Sequence, residues 1–359
     1  MARYVGKPNH YDGEPCTGIL ITNSGTPDAP TFWPVRRFLA EFLRDPRIIE
    51  LPRWLWLPIL HGIILNVRPR PLAHTYRTIW RPSESNDELE SPLLLTSKRQ
   101  ASALENTVAR HFNQRVKVVS GMVYGNPSIQ AGLDALRCAD ARRILVFPLY
   151  PQYSGASIGA SFDAVAQVLK GWRWVPELRF INSYHDHPGY IHALADRIQS
   201  YWSEFGRAAK LLMSFHGLPV GYVLSGDPYY YECRRTARLL AEELNLTEEQ
   251  YIVVFQSRFG PAKWLKPYLD ETLKLLPKQD VKSVQVVSPT FSADCSETLK
   301  DIAIDGREIF LGAGGESFGY IPALNDDPNH IEAMAQIALQ HTQDWQGEQH
   351  DLRYQWTID

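Results

Sequence analysis

Cysteine is scarce. The chain of 359 residues has four, Cys16, Cys138, Cys233 and Cys295, widely spaced and without a C-x-x-C pair. That spacing argues against a zinc ribbon, a disulfide framework or an iron–sulfur cluster, and a reducing cytoplasm is the compartment that fits. A basic excess is also missing. The 37 Lys and Arg are outnumbered by 40 Asp and Glu, for a net charge of −3, so the electrostatic footprint of a nucleic-acid binder is lacking. No apolar run reaches the roughly 20 residues of a bilayer span. The opening MARYVGKPNHYDGEP has no apolar core of a secretory signal. P-loop and H-E-x-x-H motifs are absent. G-x-S-x-G occurs as GASIG at Gly155–Gly159, but Pro151, Gln152, Tyr153 and Ser154 separate it from the preceding apolar run, whereas a nucleophile elbow needs its serine on the strand-to-helix turn. A serine hydrolase centred on Ser157 is therefore only a minor alternative.

What the chain does have is alternation. Short apolar runs at Cys16–Thr22, Val116–Tyr124, Arg143–Tyr150, Glu177–Ser183, Lys210–Phe215, Tyr251–Gln256 and Ser283–Ser288 read as buried strands. Helical patterns separate them, at Val35–Leu43, Thr96–Phe112, Asn126–Arg137, Phe162–Leu169, Gly189–Phe205, Tyr231–Leu244 and Pro261–Leu276. Strand–helix alternation predicts parallel sheets with right-handed crossovers, an α/β protein. The length suits about two domains. GWRWVP at Gly171–Pro176 reads as the linker, SESNDELE at Ser83–Glu90 as a polar loop, and Asn329–His341 as an amphipathic helix that folds back onto the first domain.

Two stretches carry the chemistry. KLLMSFHG ends its apolar run at His216, before Gly217 and Pro219. In open α/β sheets ligands bind beyond the carboxyl ends of the strands, so this imidazole is placed to meet one. The second stretch, Val286–Asp305, breaks at Ser288–Pro289 and predicts a helix starting near Ser292–Asp294, with Asp294, Glu297, Asp301 and Asp305 at spacings of three, four and four. That spacing stacks four carboxylates on one helical face. A solvated acidic face is the plain reading; beside a strand-end histidine, a site that removes protons and delivers a cation is favoured. A third stretch, Trp54–Leu65 within LPRWLWLPILHGIILNVRPR, sets Trp54, Trp56 and Leu57 among Arg53, Arg68 and Arg70. It suits a membrane interface or a buried core helix with a basic loop, and both readings stand.

SFHG at Ser214–Gly217, GDPYYYEC at Gly226–Cys233, QSRFGPAKWL at Gln256–Leu265, FSADCSETL at Phe291–Leu299 and YPQYS at Tyr150–Ser154 give the chain a clear resemblance. It resembles the ferrochelatases, of proteobacterial type, from about Gly18 to Asn325. The resemblance implies two Rossmann-like domains, each a parallel sheet flanked by helices, with a porphyrin cleft between them. The expected division is 1–172 with a lip at about 51–72, 173–326 with His216 and the acidic helix, and 327–359 as the returning C-terminal helix. The implied reaction is insertion of Fe2+ into protoporphyrin IX with loss of two protons, giving protoheme in the last step of heme synthesis; another tetrapyrrole metal chelatase is the alternative.

By position, His216 matches the family's active-site histidine and Glu297 its glutamate across the cleft, both candidates for catalysis and for the metal. Asp294, Asp301 and Asp305 match an acidic conduit on a helix with a π-bulge. Ser24, Tyr150, Tyr153 and Trp264 fall at porphyrin-binding positions, and Trp54, Trp56 and Leu57 at the membrane lip. Fe2+ enters as substrate, no further cofactor or cluster is required, and an iron-donor protein and a peripheral place on the inner face of the cytoplasmic membrane are expected. Cys295 stands where some relatives carry a second histidine, Val123 where some have arginine, and Ser24 where others have a larger residue; a mechanism that needs those side chains does not apply here. The cysteine cluster of animal relatives is absent.

Overall fold

A computed structural model describes residues 4–6, 16–82 and 89–345; most of the acidic loop expected at Ser83–Glu90 lies outside them. The strands, in chain order, are β1 (Cys16–Thr26), a two-residue antiparallel pair β2 (Arg81–Pro82) and β3 (Leu89–Glu90), β4 (Arg115–Gly125), β5 (Ala141–Pro148), β6 (Glu177–Phe180), β7 (Lys210–His216), β8 (Tyr251–Gln256), β9 (Ser283–Val287) and β10 (Ser317–Tyr320). The first sheet runs β4-β1-β5-β6 and the second β10-β9-β7-β8. Every pairing in both is parallel, as the alternation predicts. The central strands β1, β5 and β7 are buried nearly end to end, which is why they read as continuous apolar runs rather than as alternating ones.

Three expectations need correction. Ser317–Tyr320 forms an edge strand that four residues and flanking glycines conceal in the sequence. Residues 261–268 are not helical; the helix there is only Leu269–Leu275, because Trp264 bridges to Pro219 and Phe255 to Tyr268. GWRWVP is more than a linker: Trp172 is buried, bridged to Val5, and lies 4.8 Å beneath the Arg137 guanidinium.

The largest apolar core is shared between the two halves. Ile19, Leu104 and Phe147 from the first pack in one cluster with Met213, Phe215 and Leu240 from the second. Helix Pro328–His341 lies in this core with its Ile331, Met334 and Ile337, against helices Pro92–Val108 and Pro188–Phe205. Beyond it Trp345 is fully buried, its Nε1 donates to Glu177 Oε1 at 3.0 Å, and Arg179 sits 4.4 Å from its ring. The chain thereby returns to β6, at the edge of the first sheet. Trp345→Ala should lower the unfolding free energy by about 3–5 kcal/mol, the usual cost of emptying a buried aromatic site. An unchanged urea midpoint would contradict this packing.

Candidate active site

The carboxyl ends of β7, β8 and β9 converge. His216, the last residue of β7, is half-buried, and its Nδ1 donates to Gly217 O at 2.7 Å. A carbonyl only accepts, so the neutral ring keeps its free lone pair on Nε2. Tyr229 Oη donates to His216 O at 3.0 Å, and the Phe291 ring stands edge-on 6.3 Å away. Gly217 permits a close approach: a Cβ there would lie 2.7 Å from Gln256 O and 3.1 Å from the Trp264 indole. No side chain fits.

Gln256 ends β8, opposite His216 in the register. Its Oε1 accepts from Ser214 Oγ at 2.6 Å and its Nε2 donates to Glu297 O at 2.7 Å. His216 and Glu297 therefore belong to the same edge of one sheet, not to two sheets facing each other. Glu297 lies in the first turn of a helical stretch, residues 296–312, whose middle, Leu299–Gly306, is π-helical. Ser296 Oγ donates to its Oε2 at 2.9 Å. The side of Glu297 turned from the second sheet meets the first half: Gly25, Tyr76, Trp80 and Leu93 line a recess with Cys295 and Glu297. Burial, reinforced by Glu297, holds the Tyr76 phenol well above its ordinary value. Burial likewise keeps the Cys295 thiol protonated, so this cysteine does not take over the work of a histidine.

The acids divide. Asp294 precedes the helix, which starts at Ser296, and its carboxylate accepts from Tyr320 Oη, Thr298 Oγ1, Ala323 N and Asn325 Nδ2. It is not the first member of a helical stripe. Asp301 is on the stripe, accepts from Ser257 Oγ at 2.5 Å, and is pushed up to about 6 by burial, with Glu297 adding to the rise and Ser257 opposing it. Asp305, more exposed, pairs with Lys300.

The expected porphyrin positions also separate. Ser24 is half-buried near the end of β1, where Gly25 has φ +112° and a Cβ would strike Tyr124 O. Tyr150, only 8% exposed, lies beneath it: its Oη is 2.6 Å from Ser24 Oγ and 2.7 Å from Asn23 Oδ1, and accepts from Ser24 N. Tyr150 is thus a support for this turn and not a wall. Trp264, 6% exposed, backs Gly217 and meets Phe259 at 4.9 Å; its buried indole N–H has no protein acceptor among the described residues. Tyr153 lies elsewhere, in a second recess with Arg47, Tyr222 and Asp227.

At the lip, Trp54 is 79% exposed and Leu55, Ile63 and Val67 are exposed around it. Trp56 and Leu57 are half-buried in the cluster of Val35, Leu39 and Tyr76, and Trp56 Nε1 donates to Leu43 O at 2.7 Å. Both face inward, contrary to expectation. GASIG forms the π-helical first turn of a helix, and Ser157 Oγ bonds only weakly, to Ser154 O at 3.4 Å; the elbow geometry is lacking. Gln256, Asn325, Lys300 and Tyr76 are the residues sequence reasoning passed over. Gln256 lay inside a quoted motif, but only the strand register shows what it holds.

Two parallel sheets with a histidine and an acidic helix at their ligand-binding edge define a chelatase architecture. SirB from Bacillus subtilis, solved with Fe3+, shares this fold at a TM-score of 0.52 and 14% identity, covering 72% of this chain and 94% of that one. A family model described as Ferrochelatase matches residues 16–342. The ferrochelatase of Thioalkalivibrio sulfidiphilus is 52% identical over 344 residues, 96% of this chain and 92% of that protein. That of Nitrosococcus oceani is 53% identical over 328 residues, 91% and 87% of the two chains. The chain belongs to the ferrochelatase family, lyases of heme synthesis that insert Fe2+ into protoporphyrin IX to give protoheme.

Asp301 provides a pH test. Its folded value, about 6, lies above the ordinary carboxyl value of 3.8. The folded protein therefore binds this proton more tightly than the unfolded chain does. The stabilisation is complete at low pH and is lost as pH rises through about 6. Asp301→Asn should flatten the fall in stability between about pH 4 and pH 6, and should remove any loss of kcat/KM for iron on acidification through about pH 6. Wild-type slopes in both measurements would contradict the assignment.

Proposed function

We propose that His216 and Glu297 divide the reaction between them, His216 taking pyrrole protons and Glu297 presenting the iron. The observation that carries this division is the Nδ1–H bond of His216 to Gly217 O, which leaves Nε2 as a base. A planar porphyrin hides its centre behind two N–H groups. Iron enters only after the ring bends and both protons leave. Bending costs about 1–5 kcal/mol, supplied by contacts away from the reacting atoms. Ser24 on its Tyr150 support and the Phe259–Trp264 pair beside Gly217 are the surfaces suited to press on the ring. Tyr153, in the recess with Arg47 and Asp227, serves a more distant part of the substrate.

Iron approaches along the helix through Asp305 and Asp301 to Glu297. A π-turn takes more residues than the α-helix's roughly 3.6 per turn, which lets a repeat of four stay close to one stripe. The burial of Asp301 and its bond to Ser257 support a carboxylate poised to exchange a proton for a cation. Asp294 is left out of this path, its Oδ1 being engaged by three donors and its Oδ2 by Asn325. The enzyme works with Fe2+ as substrate and without a resident cluster; it acts in the cytoplasm, supplied by an iron-donor protein. A division at about 172 would assign β6 (Glu177–Phe180) to the second half although it pairs with β5 in the first sheet, so the boundary belongs after β6; the main apolar core is shared between the halves.

Replacing the imidazole removes a positioned base, worth about 10²–10⁴ in rate. His216→Ala should therefore nearly abolish turnover while still quenching porphyrin fluorescence, whereas Glu297→Gln should mainly lower kcat/KM for iron. Full turnover by His216→Ala would overturn the division.

The lip is the surface for membrane exchange of the hydrophobic substrate. Trp33, Trp54, Leu55, Ile63 and Val67 are exposed, with Arg68 and Arg70 beside them, and apolar and cationic groups together suit an anionic lipid surface. No helix among the described residues is long and apolar enough to cross a membrane, so attachment would be peripheral. Trp54→Ser with Ile63→Ser should reduce sedimentation with anionic vesicles severalfold, and Trp56→Ser should act on stability instead. Undiminished sedimentation of the first variant would remove the lip from the account.

A further inference from the structure

We propose that Asn325 and Asp294 form an orientation clamp for Glu297, which makes Asn325 a positioning residue for metal insertion and Asp294 its partner rather than a carrier of iron or protons. The inference rests on the proposed role of Glu297.

Asn325 uses every polar group it has. Its N–H donates to Ser292 O at 2.9 Å, and its carbonyl accepts from Gln100 Nε2 at 2.9 Å and from His330 Nδ1 at 2.8 Å. Its side chain meets Asp294 twice: Oδ1 accepts from Asp294 N and Nδ2 donates to Asp294 Oδ2, each at 2.9 Å. The backbone is left-handed, φ +51°, a conformation asparagine tolerates better than most residues. Local strain is thus accepted where the side chain earns a reciprocal pair.

The Asp294 carboxylate is then largely engaged. Its Oδ1 takes Tyr320 Oη, Thr298 Oγ1 and Ala323 N, and its Oδ2 takes Asn325. An ionised carboxylate has about four lone-pair sites, two on each oxygen; Oδ1 is saturated and Oδ2 is tied to Asn325, which suits a structural partner better than a carrier. Thr298, fully buried, also accepts from Cys295 N at 2.9 Å. Asp294 and Thr298 therefore bracket Glu297 from both sides in sequence, while Gln256 holds its carbonyl from below. Gln100 comes from the helix Pro92–Val108 in the first half and bonds both Ser292 O, at 3.1 Å, and Asn325 O. The clamp thus refers the glutamate to both halves of the molecule at once.

The test exchanges the two side chains. Asn325→Asp sets two carboxylates face to face and should lower kcat for ferrous insertion by roughly tenfold or more. The exchange Asp294→Asn with Asn325→Asp restores one donor and one acceptor across the pair. It should recover turnover to within about threefold of the wild type. If Asp294 is needed as an ionisable carrier, the exchange stays as slow as Asn325→Asp, and the clamp is overturned. Should Asn325→Asp fail to fold, a folded, active exchange variant still supports the pairing, and an unfolded or inactive one counts against it. The second arm combines Asn325→Ala with Glu297→Gln. A double variant no slower than Glu297→Gln supports action through the glutamate, and multiplied losses indicate general damage and overturn the proposal. Wild-type turnover by Glu297→Gln alone would remove the role of Glu297 and the clamp with it, whereas a slow Glu297→Gln with an unrescued exchange removes the clamp alone.

Discussion

The amide of Gln256 is the contact on which the site depends. One end accepts from Ser214, inside β7; the other donates to the backbone of Glu297. Gln256 is buried, where an unmatched amide would cost about 1–3 kcal/mol for each group left unpaired. The sheet edge and the acidic helix are thus held in one geometry by a side chain that touches neither reacting group. His216 and Glu297 gain a common frame. The loop from Ser288 to Cys295 can then carry Phe291 against the imidazole without carrying the glutamate out of place.

Around that frame the molecule distributes rigidity unevenly. The main core runs through both halves, and Helix Pro328–His341 and Trp345 close it from the far side. A two-sheet enzyme built this way does not need a hinge between independent domains to bring its residues together. At the lip Trp54, Ile63 and Val67 remain uncovered. Clustered exposed apolar groups beside arginines are the basis of the proposed interaction surface.

Much of the fold was legible. Seven of the eight strands in the two large sheets follow from apolar runs, because strands buried on both faces cannot afford polar positions. Ser317–Tyr320 escaped because Gly314 and Gly315 precede it and Gly319 interrupts it, which leaves no apolar run. At the lip the signal was present and unused: Trp54 and Trp56 are two positions apart on a helix, so they point to opposite faces. At Asp294 the signal was misleading. Its spacing from Glu297 fits a helix, but the helix begins two residues later, and Cys295 and Thr298 bond across its first turn.

By itself the sequence determined the class of architecture, the strand-end placement of His216 and, through motifs in order, the ferrochelatase family. These depend on local pattern: where apolar runs stop and which residues follow. Only the tertiary structure decided which partners engage each acid, that Tyr150 lies under Ser24, and that the helix of Glu297 is tied through Gln256 to the strand edge that carries His216. Those facts depend on partners 20 to 200 positions away, such as Asn325 for Asp294 and Gln100 for Ser292, and a contact of that range leaves no periodicity in the chain for a reader to find.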